Sequence, residues 1–486
     1  MDVTIVGSGP NGLSTAVICA RAGLKVQVIE AQPTFGGGAR TAPDFEFPGV
    51  LHDVCSAVHP LALASPFFAA FDLPARGVQL AVPEIAYANP LSGRPAAIAY
   101  RDLERTCAEL EQGASWRRLL GPLVEHAEGI VGLLLGDKRS VPSSLPAAPR
   151  AAIQLGLRML AQGTPAWGSL AGEDARALFT GVAAHVISRM PSLAAAGAGL
   201  MLATLAHSVG WPIPVGGTRV ITDALIADLR AHGGELTAGL EISEITSPPE
   251  PPGSVVAFDT APTALLRIYG DALPARYAKA LRRYTFGPGV AKVDFVLSED
   301  IPWSDPRLRL APTLHLGGTR EQMARAEADI AAGRHAQWPM VLASSPHIAD
   351  PGRMDAAGRR PLWTYAHVPS GSTLDATDAV TQVVERFAPG FREIVVTARA
   401  VPAARMADHN ANYVGGDIGM GANSAWRAIA GPTPRLNPWR TPVPKVYLCS
   451  AATPPGGGVH GMAGYYAART LLRHEFGITR MPTMAP

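Results

Sequence analysis

The sequence predicts an α/β protein in which a long inserted region interrupts a parallel sheet. Three observations favour this fold: a strand–glycine loop–helix unit at the start of the chain, a similar unit near its end, and a length of 486 residues. At about 150 residues per domain, that length favours two or three domains. Hydrophobic residues make up 47% of the chain and charged residues 17%, which is typical of a globular protein and excludes disorder for most of it.

Charge and cysteine content exclude several classes of function. The 42 Lys and Arg nearly balance the 40 Asp and Glu and form no basic block, so we expect no nucleic-acid partner. The four cysteines form no C-x-x-C pair, and the scattered histidines have no metal-ligand spacing, so we expect no metal.

The hydropathy of the chain and its first residues indicate where in the cell the protein is located. No apolar run reaches the ~20 residues of a membrane-spanning helix. The first strand follows Met1-Asp2 directly, so we expect no secretory leader. We therefore expect a cytoplasmic protein, and a peripheral membrane contact stays open.

The first unit contains a buried strand, Val3–Val6, and a helix-like segment over 13–22. The loop that joins them consists of Gly7, Ser8, Gly9, Pro10, Asn11 and Gly12, a G-x-G-x-x-G pattern. Gly7 permits a tight turn, Gly9 lets a pyrophosphate approach the backbone, and Gly12 lets the helix pack close to the sheet. The N-terminus of the helix supplies free N–H groups for the anion.

A second strand, Lys25–Ile29, ends at Glu30, eighteen residues after Gly12. A carboxylate at this position can accept both ribose hydroxyls and would repel a 2′-phosphate. The preceding strand, the following helix, the second strand and the terminal acid together favour a dinucleotide site over a simple glycine turn.

Further glycines follow at 36–38, before Arg40. They let the chain pass close to a ligand, and the guanidinium can pair with a pyrophosphate oxygen. A flexible loop with one solvated arginine is the alternative, and this segment alone leaves both open.

The last unit pairs a strand at 446–449 with a helix at 462–475, joined by the glycines of 456–461. Only 25 residues follow Gly461, and they contain no strand-like run, so we expect no second dinucleotide fold. We expect instead that this strand returns to the first sheet and directs its helix N-terminus at the same cofactor.

Together these motifs resemble the glutathione-reductase-type flavoproteins, in which a Gly-Gly-x-x-Arg turn covers the FAD diphosphate. Residues 214–218, 408–418 and 448–468 are similar to the phytoene-desaturase-like branch, which includes carotenoid desaturases, retinol saturases and pyridine-nucleotide-disulfide-oxidoreductase-domain proteins. The resemblance spans residues 1 to about 475. It implies a glutathione-reductase-type FAD-binding Rossmann domain with an inserted α+β substrate domain.

The resemblance also implies the domain organisation. The FAD-binding domain is expected from residues 1–75, 212–270 and 436–478. The substrate domain is expected from 76–211, helical with a hairpin, and from 271–435, a sheet.

Periodicity and turn residues predict the elements between the motifs. A hairpin joins strands over 84–87 and 96–100. Helices are expected over 116–135, 193–206 and 218–232, and strands over 240–245, 255–258, 291–297 and 362–368. The apolar stripe of 116–135 favours packing on a core over facing lipid.

The resemblance implies FAD as the cofactor. The residues expected to hold it are Gly7, Ser8, Gly9, Pro10, Asn11, Gly12, Glu30, Ala31, Gly37, Gly38, Ala39, Arg40, Ile242, Gly457, Gly458, Val459 and Met462. The C-terminal helix would stabilise negative charge on the reduced flavin. The missing C-x-x-C pair excludes disulfide-reductase chemistry.

Catalytic side chains are weakly specified, because flavin chemistry needs mainly substrate binding, tuning of the flavin and sometimes a proton transfer. His460 is the first candidate, since the family motif places it beside the flavin and histidine titrates near neutral pH. A histidine hydrogen-bonded to backbone is the alternative. His59 is the second candidate, because it follows the segment that passes the other side of the ring in similar proteins.

We therefore expect a dehydrogenase, desaturase or oxidase that transfers hydride from a C–H bond of a small hydrophobic or secondary-metabolite substrate to flavin N5. Oxygen or a quinone is the expected electron acceptor. Two alternatives stay open. They are a flavin amine oxidase and a non-enzymatic binder of lipidated partners like the Rab GDP-dissociation inhibitors, which share this fold.

Overall fold

The computed structural model describes residues 1–138, 149–165, 167–243, 254–424 and 426–486. It is an α/β protein with a parallel five-stranded sheet and a mixed seven-stranded sheet, so the predicted fold class is confirmed.

The N-terminal segment builds the first half of the parallel sheet. Its elements are β1 (Val3–Val6), α1 (Pro10–Arg21), β2 (Val26–Ile29), β3 (Thr41–Pro43), β4 (Leu51–Asp53), α2 (Pro60–Ala64) and α3 (Pro66–Phe71). The predicted strand–loop–helix–strand unit is confirmed. Pro10 starts α1 at a position where its missing N–H is not needed.

The next segment is helical apart from the short strand β5 and one hairpin. Its elements are β5 (Leu80–Ala81), β6 (Ile85–Leu91), β7 (Arg94–Tyr100), α4 (Leu103–Glu109), α5 (Gly113–Val124), α6 (Ala127–Leu134), α7 (Pro149–Gly163), α8 (Glu173–Ala183) and α9 (Leu193–Ser208). The hairpin is confirmed. The single helix expected over 116–135 is wrong: it is two helices that meet at Glu125 and His126. Pro122, which cannot donate a backbone hydrogen bond, weakens α5 just before this break.

The rest of the chain completes both sheets. The remaining elements are β8 (Ile213–Pro214), α10 (Arg219–Ala231), β9 (Glu235–Thr237), β10 (Val255–Phe258), α11 (Ala264–Tyr269), α12 (Ala275–Arg282), β11 (Gly289–Leu297), β12 (Thr313–Leu316), α13 (Arg320–Ala331), β13 (Val341–Ser344), β14 (Arg360–Val368), α14 (Thr377–Glu385), α15 (Phe391–Ile394), β15 (Val395–Val401), α16 (Arg427–Ala430), β16 (Val446–Leu448) and α17 (Met462–Glu475). Strands β9 and β10 join the parallel sheet, β11 to β15 build the mixed sheet, and β16 returns to the parallel sheet. Most of the predicted elements are confirmed. The strand expected over 240–245 is not confirmed, because residues 240–243 form no strand and residues 244 and 245 lie outside the described residues. The strand in this part of the chain is β9, which lies earlier, at Glu235–Thr237.

The parallel sheet has the order β16-β10-β1-β2-β9. The expectation that the C-terminal strand returns to the first sheet is therefore confirmed. Helices α1 and α17 pack against each other at Gly464, where an added Cβ would clash with the backbone oxygen of Asn11. This contact brings the N-termini of both helices to the same edge of the sheet.

The mixed sheet has the order β15-β11-β14-β13-β12-β6-β7. Only the β12–β6 pair is parallel. Helix α14 covers one face through Val380, Val383 and Val384, which belong to a buried cluster with Phe295 and Phe391. The other face turns toward the parallel sheet, and the space between them contains the candidate site.

Among the described residues, no helix has the length and apolar character needed to cross a bilayer.

Candidate functional site

A cavity of about 1240 Å³ connects the two sheets. Sites for one drug-sized ligand usually measure about 300–1,000 Å³, so this cavity is larger than such a site. One end lies at the carboxyl ends of β1, β2 and β10, where α/β sheets bind nucleotides. The other end is lined by strands β12–β14 and helices α7 and α9.

Most of the predicted cofactor residues line this one cavity. Those that do are Gly7, Ser8, Gly9, Pro10, Asn11, Glu30, Ala31, Gly37, Gly38, Ala39, Ile242, Gly457, Gly458 and Val459. Gly12, Arg40 and Met462 do not line it. The structure thus brings together segments more than 400 residues apart in sequence.

Two glycine loops form the floor of the nucleotide end. A Cβ on Gly37 would lie 2.8 Å from the Cα of Gly9, and a Cβ on Gly9 would lie 2.5 Å from a carboxylate oxygen of Asp259. Gly37 also has φ +56°, a conformation that other residues rarely adopt. Only glycine therefore lets these two backbones pack together under a ligand.

Glu30 lies at the end of β2, as predicted. Its Oε2 accepts hydrogen bonds from the Ser8 backbone N–H at 2.9 Å and from the Ser8 hydroxyl at 2.6 Å, and its Oε1 accepts one from the Gln32 N–H at 2.9 Å. A carboxylate has about four acceptor sites, so Glu30 retains capacity to bind ribose hydroxyls from the cavity.

Asp259, which sequence reasoning missed, is the buried acid at the end of β10. Its Oδ2 accepts a hydrogen bond from the Gly12 N–H at 2.9 Å and so occupies part of the anion-binding N-terminus of α1. Burial, and next the nearby charge of Glu30, raise its pKa to about 7, although backbone N–H groups of Gly12 and Gly9 oppose the shift. The available signal was an acid directly after the predicted strand over 255–258.

Arg40 does not point into the cavity. Its guanidinium donates to the backbone oxygens of Gly37 at 2.7 Å and His409 at 2.5 Å, and to the Thr34 hydroxyl at 3.1 Å. Burial lowers its pKa. In this arrangement Arg40 fixes the second glycine loop, and its contact with a diphosphate stays a prediction.

His460 is fully buried and does not line the cavity. Its Nδ1 accepts from the Met462 N–H at 3.0 Å, and its Nε2 lies 3.1 Å from the Gly456 carbonyl oxygen. Burial lowers the pKa of His460 to about 4. This geometry fits the backbone-bonded alternative, because neither ring nitrogen is left to take a proton from a ligand.

His59 lines the cavity and is also buried. Its Nε2 lies 2.8 Å from the Thr218 hydroxyl, which donates to the Ser56 carbonyl oxygen at 2.6 Å. Burial lowers the pKa of His59 to about 4. His59 is therefore neutral near pH 7, with a fixed ring.

Lys138 is a second group that sequence reasoning missed. It lines the cavity, and its Nζ donates to the Leu134 carbonyl oxygen at 2.8 Å. Burial lowers its pKa to about 8, so it carries a positive charge in most molecules at pH 7. Lys138 follows α6 without a periodic or glycine signal that could have marked it.

Comparison with known sequences identifies the first motif. A family model described as an NAD(P)-binding Rossmann-like domain matches residues 5–71. An uncharacterised protein of Mycobacterium tuberculosis strain H37Rv is 24% identical over 97% of both chains. The pyridine nucleotide-disulfide oxidoreductase domain-containing protein 2 of Rattus norvegicus is 25% identical over 59% of this chain and 56% of that protein.

Comparison with solved structures extends the likeness to the whole fold. A double mutant of putrescine oxidase superposes with a TM-score of 0.60 at 16% identity, covering 98% of this chain and 99% of that one. Cyclohexylamine oxidase from Brevibacterium oxydans gives a TM-score of 0.55 at 14% identity, covering 99% of both. The chain has the fold of the flavin-dependent oxidoreductases, of the amine-oxidase type, and these likenesses do not single out the phytoene-desaturase-like branch.

The residues fit a flavin dinucleotide. The glycine floor leaves room for a diphosphate, and Glu30 can bind ribose. The buried amide oxygen of Asn11, which lines the cavity, has no hydrogen-bond partner among the described residues. Among those residues no three His, Cys, Asp or Glu side chains group as a metal site.

Proposed function

We propose that this protein is an FAD-dependent oxidoreductase that removes hydride from a C–H bond of a small hydrophobic substrate. The observation that carries the proposal is the single cavity that joins a dinucleotide-type end to an apolar end. A bound flavin would accept the hydride at its N5 atom, and the substrate would release one proton to solvent, which balances the two-electron oxidation. The motifs shared with phytoene-desaturase-like proteins support a dehydrogenase or desaturase of that type, with oxygen or a quinone as the electron acceptor.

The chain's own residues bind and orient in this proposal. Gly9 and Gly37 let the backbone approach the diphosphate, and Glu30 binds the ribose. The N-terminus of α17 and the cation of Lys138 favour negative charge in the cavity. His460 acts as a positioning residue, because its two backbone contacts hold the turn at 456–461.

The substrate end supports a hydrophobic ligand. Side chains of Leu155 and Met159 on α7, of Met201 and Leu202 on α9, and of Leu342 on β13 line it. Such a wall binds an apolar molecule by removing its surface from water, at roughly 25 cal/mol per Å². It also excludes water from the place where hydride transfer would occur.

Amine oxidation is the second candidate, and the structural likeness to putrescine oxidase and cyclohexylamine oxidase favours it. The binder of lipidated partners remains a third, non-enzymatic candidate. The preserved nucleotide end, with Glu30 and both glycine loops, argues against it.

We also propose that the protein is cytoplasmic and that it contacts a lipid surface peripherally. Helix α7 exposes Ile153, Leu157 and Leu160, which are 62%, 59% and 54% accessible and share one helix face. A different face of α7 lines the substrate end, so lipid and cavity would contact different faces of one helix. Four buried, unpaired cysteines suit a reducing compartment.

Anaerobic flavin bleaching tests the proposed reaction. Purified protein loaded with FAD is mixed with a polyene, a long-chain alcohol or a long-chain amine, and absorbance near 450 nm is followed. Bleaching by the polyene or the alcohol supports the proposal. Bleaching by the amine alone supports the amine oxidase, and no bleaching by any apolar compound with FAD bound supports the binder.

A further inference from the structure

We propose that the substrate carries a neutral oxygen group, a hydroxyl or a carbonyl, which Thr313, Ser344 and Trp363 bind where β12, β13 and β14 line the cavity. The proposal rests on the proposed function only in taking the bound molecule to be the substrate. It names a binding site that neither the glycine motifs nor the fold identifies.

The three residues form one row across three neighbouring strands. Thr313 on β12 is the direct cross-strand partner of Ser344 on β13, and Ser344 is the partner of Trp363 on β14. Directly opposed residues in a sheet point to the same face. All three line the cavity, so the row presents its side chains to a ligand.

The polar atoms of this row are buried and unpaired. Thr313, Ser344 and Trp363 are only 1%, 1% and 3% exposed. The two hydroxyl oxygens and the indole Nε1 have no hydrogen-bond partner among the described residues. An unpaired buried polar group costs about 1–3 kcal/mol, so three of them side by side are unfavourable unless a ligand satisfies them.

The donor and acceptor types define the ligand group. An indole N–H only donates, whereas each hydroxyl both donates and accepts. The ligand must therefore offer an acceptor to Trp363, and an oxygen with two lone pairs can also accept from Ser344 or Thr313. A protonated amine has no lone pair to accept these hydrogen bonds.

The surroundings of the row favour a neutral group over a carboxylate. Among the described residues, β12, β13 and β14 contribute no charged side chain to the cavity wall. His185, which also lines the cavity, is neutral because burial lowers its pKa to about 3. Lys292 and Asp294 on the next strand are ion-paired with each other and do not line the cavity. The Lys292 ammonium lies 5.9 Å from the centre of the Trp363 ring, but Asp294 already neutralises it, so a buried carboxylate would gain no free counter-charge beside the row.

The remaining wall explains why the group would be attached to an apolar body. Trp211, Leu342 and Leu202 of α9 line the same cavity as the row. A molecule with one oxygen group and an aliphatic body would satisfy the polar row and bury its chain against this wall.

The test compares ligands of equal length on wild-type protein and on three variants. The probes are 1-octanol, 2-octanone, octane, octylammonium and octanoate, and their dissociation constants are measured by calorimetry with and without FAD. The variants are Ser344→Ala, Thr313→Val and Trp363→Phe. The matched control is Ser345→Ala, which alters a buried serine next to the row that does not line the cavity.

We expect 1-octanol and 2-octanone to bind at least tenfold more tightly than octane, octylammonium or octanoate. Each variant should lose about threefold to tenfold in affinity for 1-octanol, in line with one net hydrogen bond, and none in affinity for octane. Ser344→Ala and Thr313→Val should not lower the melting temperature, because the removed hydroxyls have no partner in the folded chain. The control should bind all probes as wild type does.

Three results would overturn the proposal. The first is equal affinity of the wild type for octane and 1-octanol. The second is tighter binding of octylammonium or octanoate than of 1-octanol. The third is an equal loss of affinity for octane and for 1-octanol in the variants. Failure of the proposed function would look different. In that case FAD would not bind or would not be reduced, while the preference for 1-octanol would still be measurable in the FAD-free protein.

Discussion

The carboxyl group of Asp259 accepts a hydrogen bond from the backbone N–H of Gly12 at 2.9 Å, although the two residues are 247 positions apart in sequence. This contact joins β10 to the N-terminus of α1. It places an acid where the first motif would otherwise present free N–H groups to a diphosphate. Asp259 and Glu30 therefore put two carboxyl groups beside the proposed cofactor.

We predict from this contact that FAD affinity falls as the pH rises through about 7. Below the pKa of about 7, the Asp259 carboxyl is neutral; above it, the carboxylate repels the diphosphate. The variant Asp259→Asn keeps an oxygen acceptor for Gly12 and cannot ionise. Its FAD dissociation constant should change less between pH 6 and pH 8 than that of wild type, which should rise several-fold. If FAD affinity depended on pH equally in wild type and in Asp259→Asn, a titrating group other than Asp259 would be responsible.

The glycine floor predicts a second result. Gly9→Ala and Gly37→Ala should each weaken FAD binding at least tenfold, because the added methyl group would meet the Asp259 carboxylate at Gly9 and the backbone of Gly9 at Gly37. Gly168→Ala is the matched control, since nothing lies within 4 Å of a Cβ at that glycine. Fluorescence titration of FAD measures the three constants. Wild-type affinity in Gly37→Ala would show that the second loop does not contact the cofactor.

Buried neutral histidines predict a loss of stability in mild acid. Burial lowers the pKa of His59, His207 and His460 to about 4 each. In the unfolded chain a histidine has a pKa of about 6.5, so between pH 6.5 and pH 4 the unfolded state binds protons first and the native state loses stability as pH falls. The loss is about 1.4 kcal/mol per pH unit for each such histidine.

The variant His207→Gln isolates one of these histidines outside the cavity. His207 accepts a hydrogen bond from the Trp116 indole at 2.9 Å, and a glutamine oxygen can replace that acceptor. The fall in unfolding free energy between pH 6.5 and pH 5 should be smaller in this variant than in wild type or in the exposed-site control His474→Gln. Denaturant titrations at both pH values measure the unfolding free energy. An identical fall between the two pH values in wild type and both variants would show that His207 does not contribute to the acid instability.

The exposed face of α7 predicts binding to lipid vesicles. Leu157→Ser combined with Leu160→Ser should reduce sedimentation with phosphatidylglycerol vesicles by at least half, because two apolar side chains no longer enter the interface. The control is Val396→Ser, which removes a 43% exposed apolar side chain from β15. Unchanged sedimentation of the α7 variant, or none by wild type, would remove the lipid surface from the proposal.

The sequence predicted those strands and helices that are determined by residues within the segment itself. Strand Val255–Phe258 and helix Met462–Glu475 have the predicted bounds, because a short β-branched run and a glycine-led amphipathic segment each carry their own signal. The break at Glu125 was not predicted, since the apolar stripe continues across it.

Tertiary contacts determined the parts that sequence reasoning missed. The high pKa of Asp259 comes from burial beside the first motif, and both nitrogens of His460 are engaged by a turn whose shape no motif specifies. The row of Thr313, Ser344 and Trp363 exists only through the register of three strands. A sequence pattern does not contain that register.

FAD binding by this chain is tested most directly by titrating the purified, ligand-free protein with FAD, NAD and NADP in parallel. Binding of one FAD per chain, with NAD and NADP at least a hundredfold weaker, is the result that we predict. Tight binding of NAD or NADP with no affinity for FAD would contradict the account.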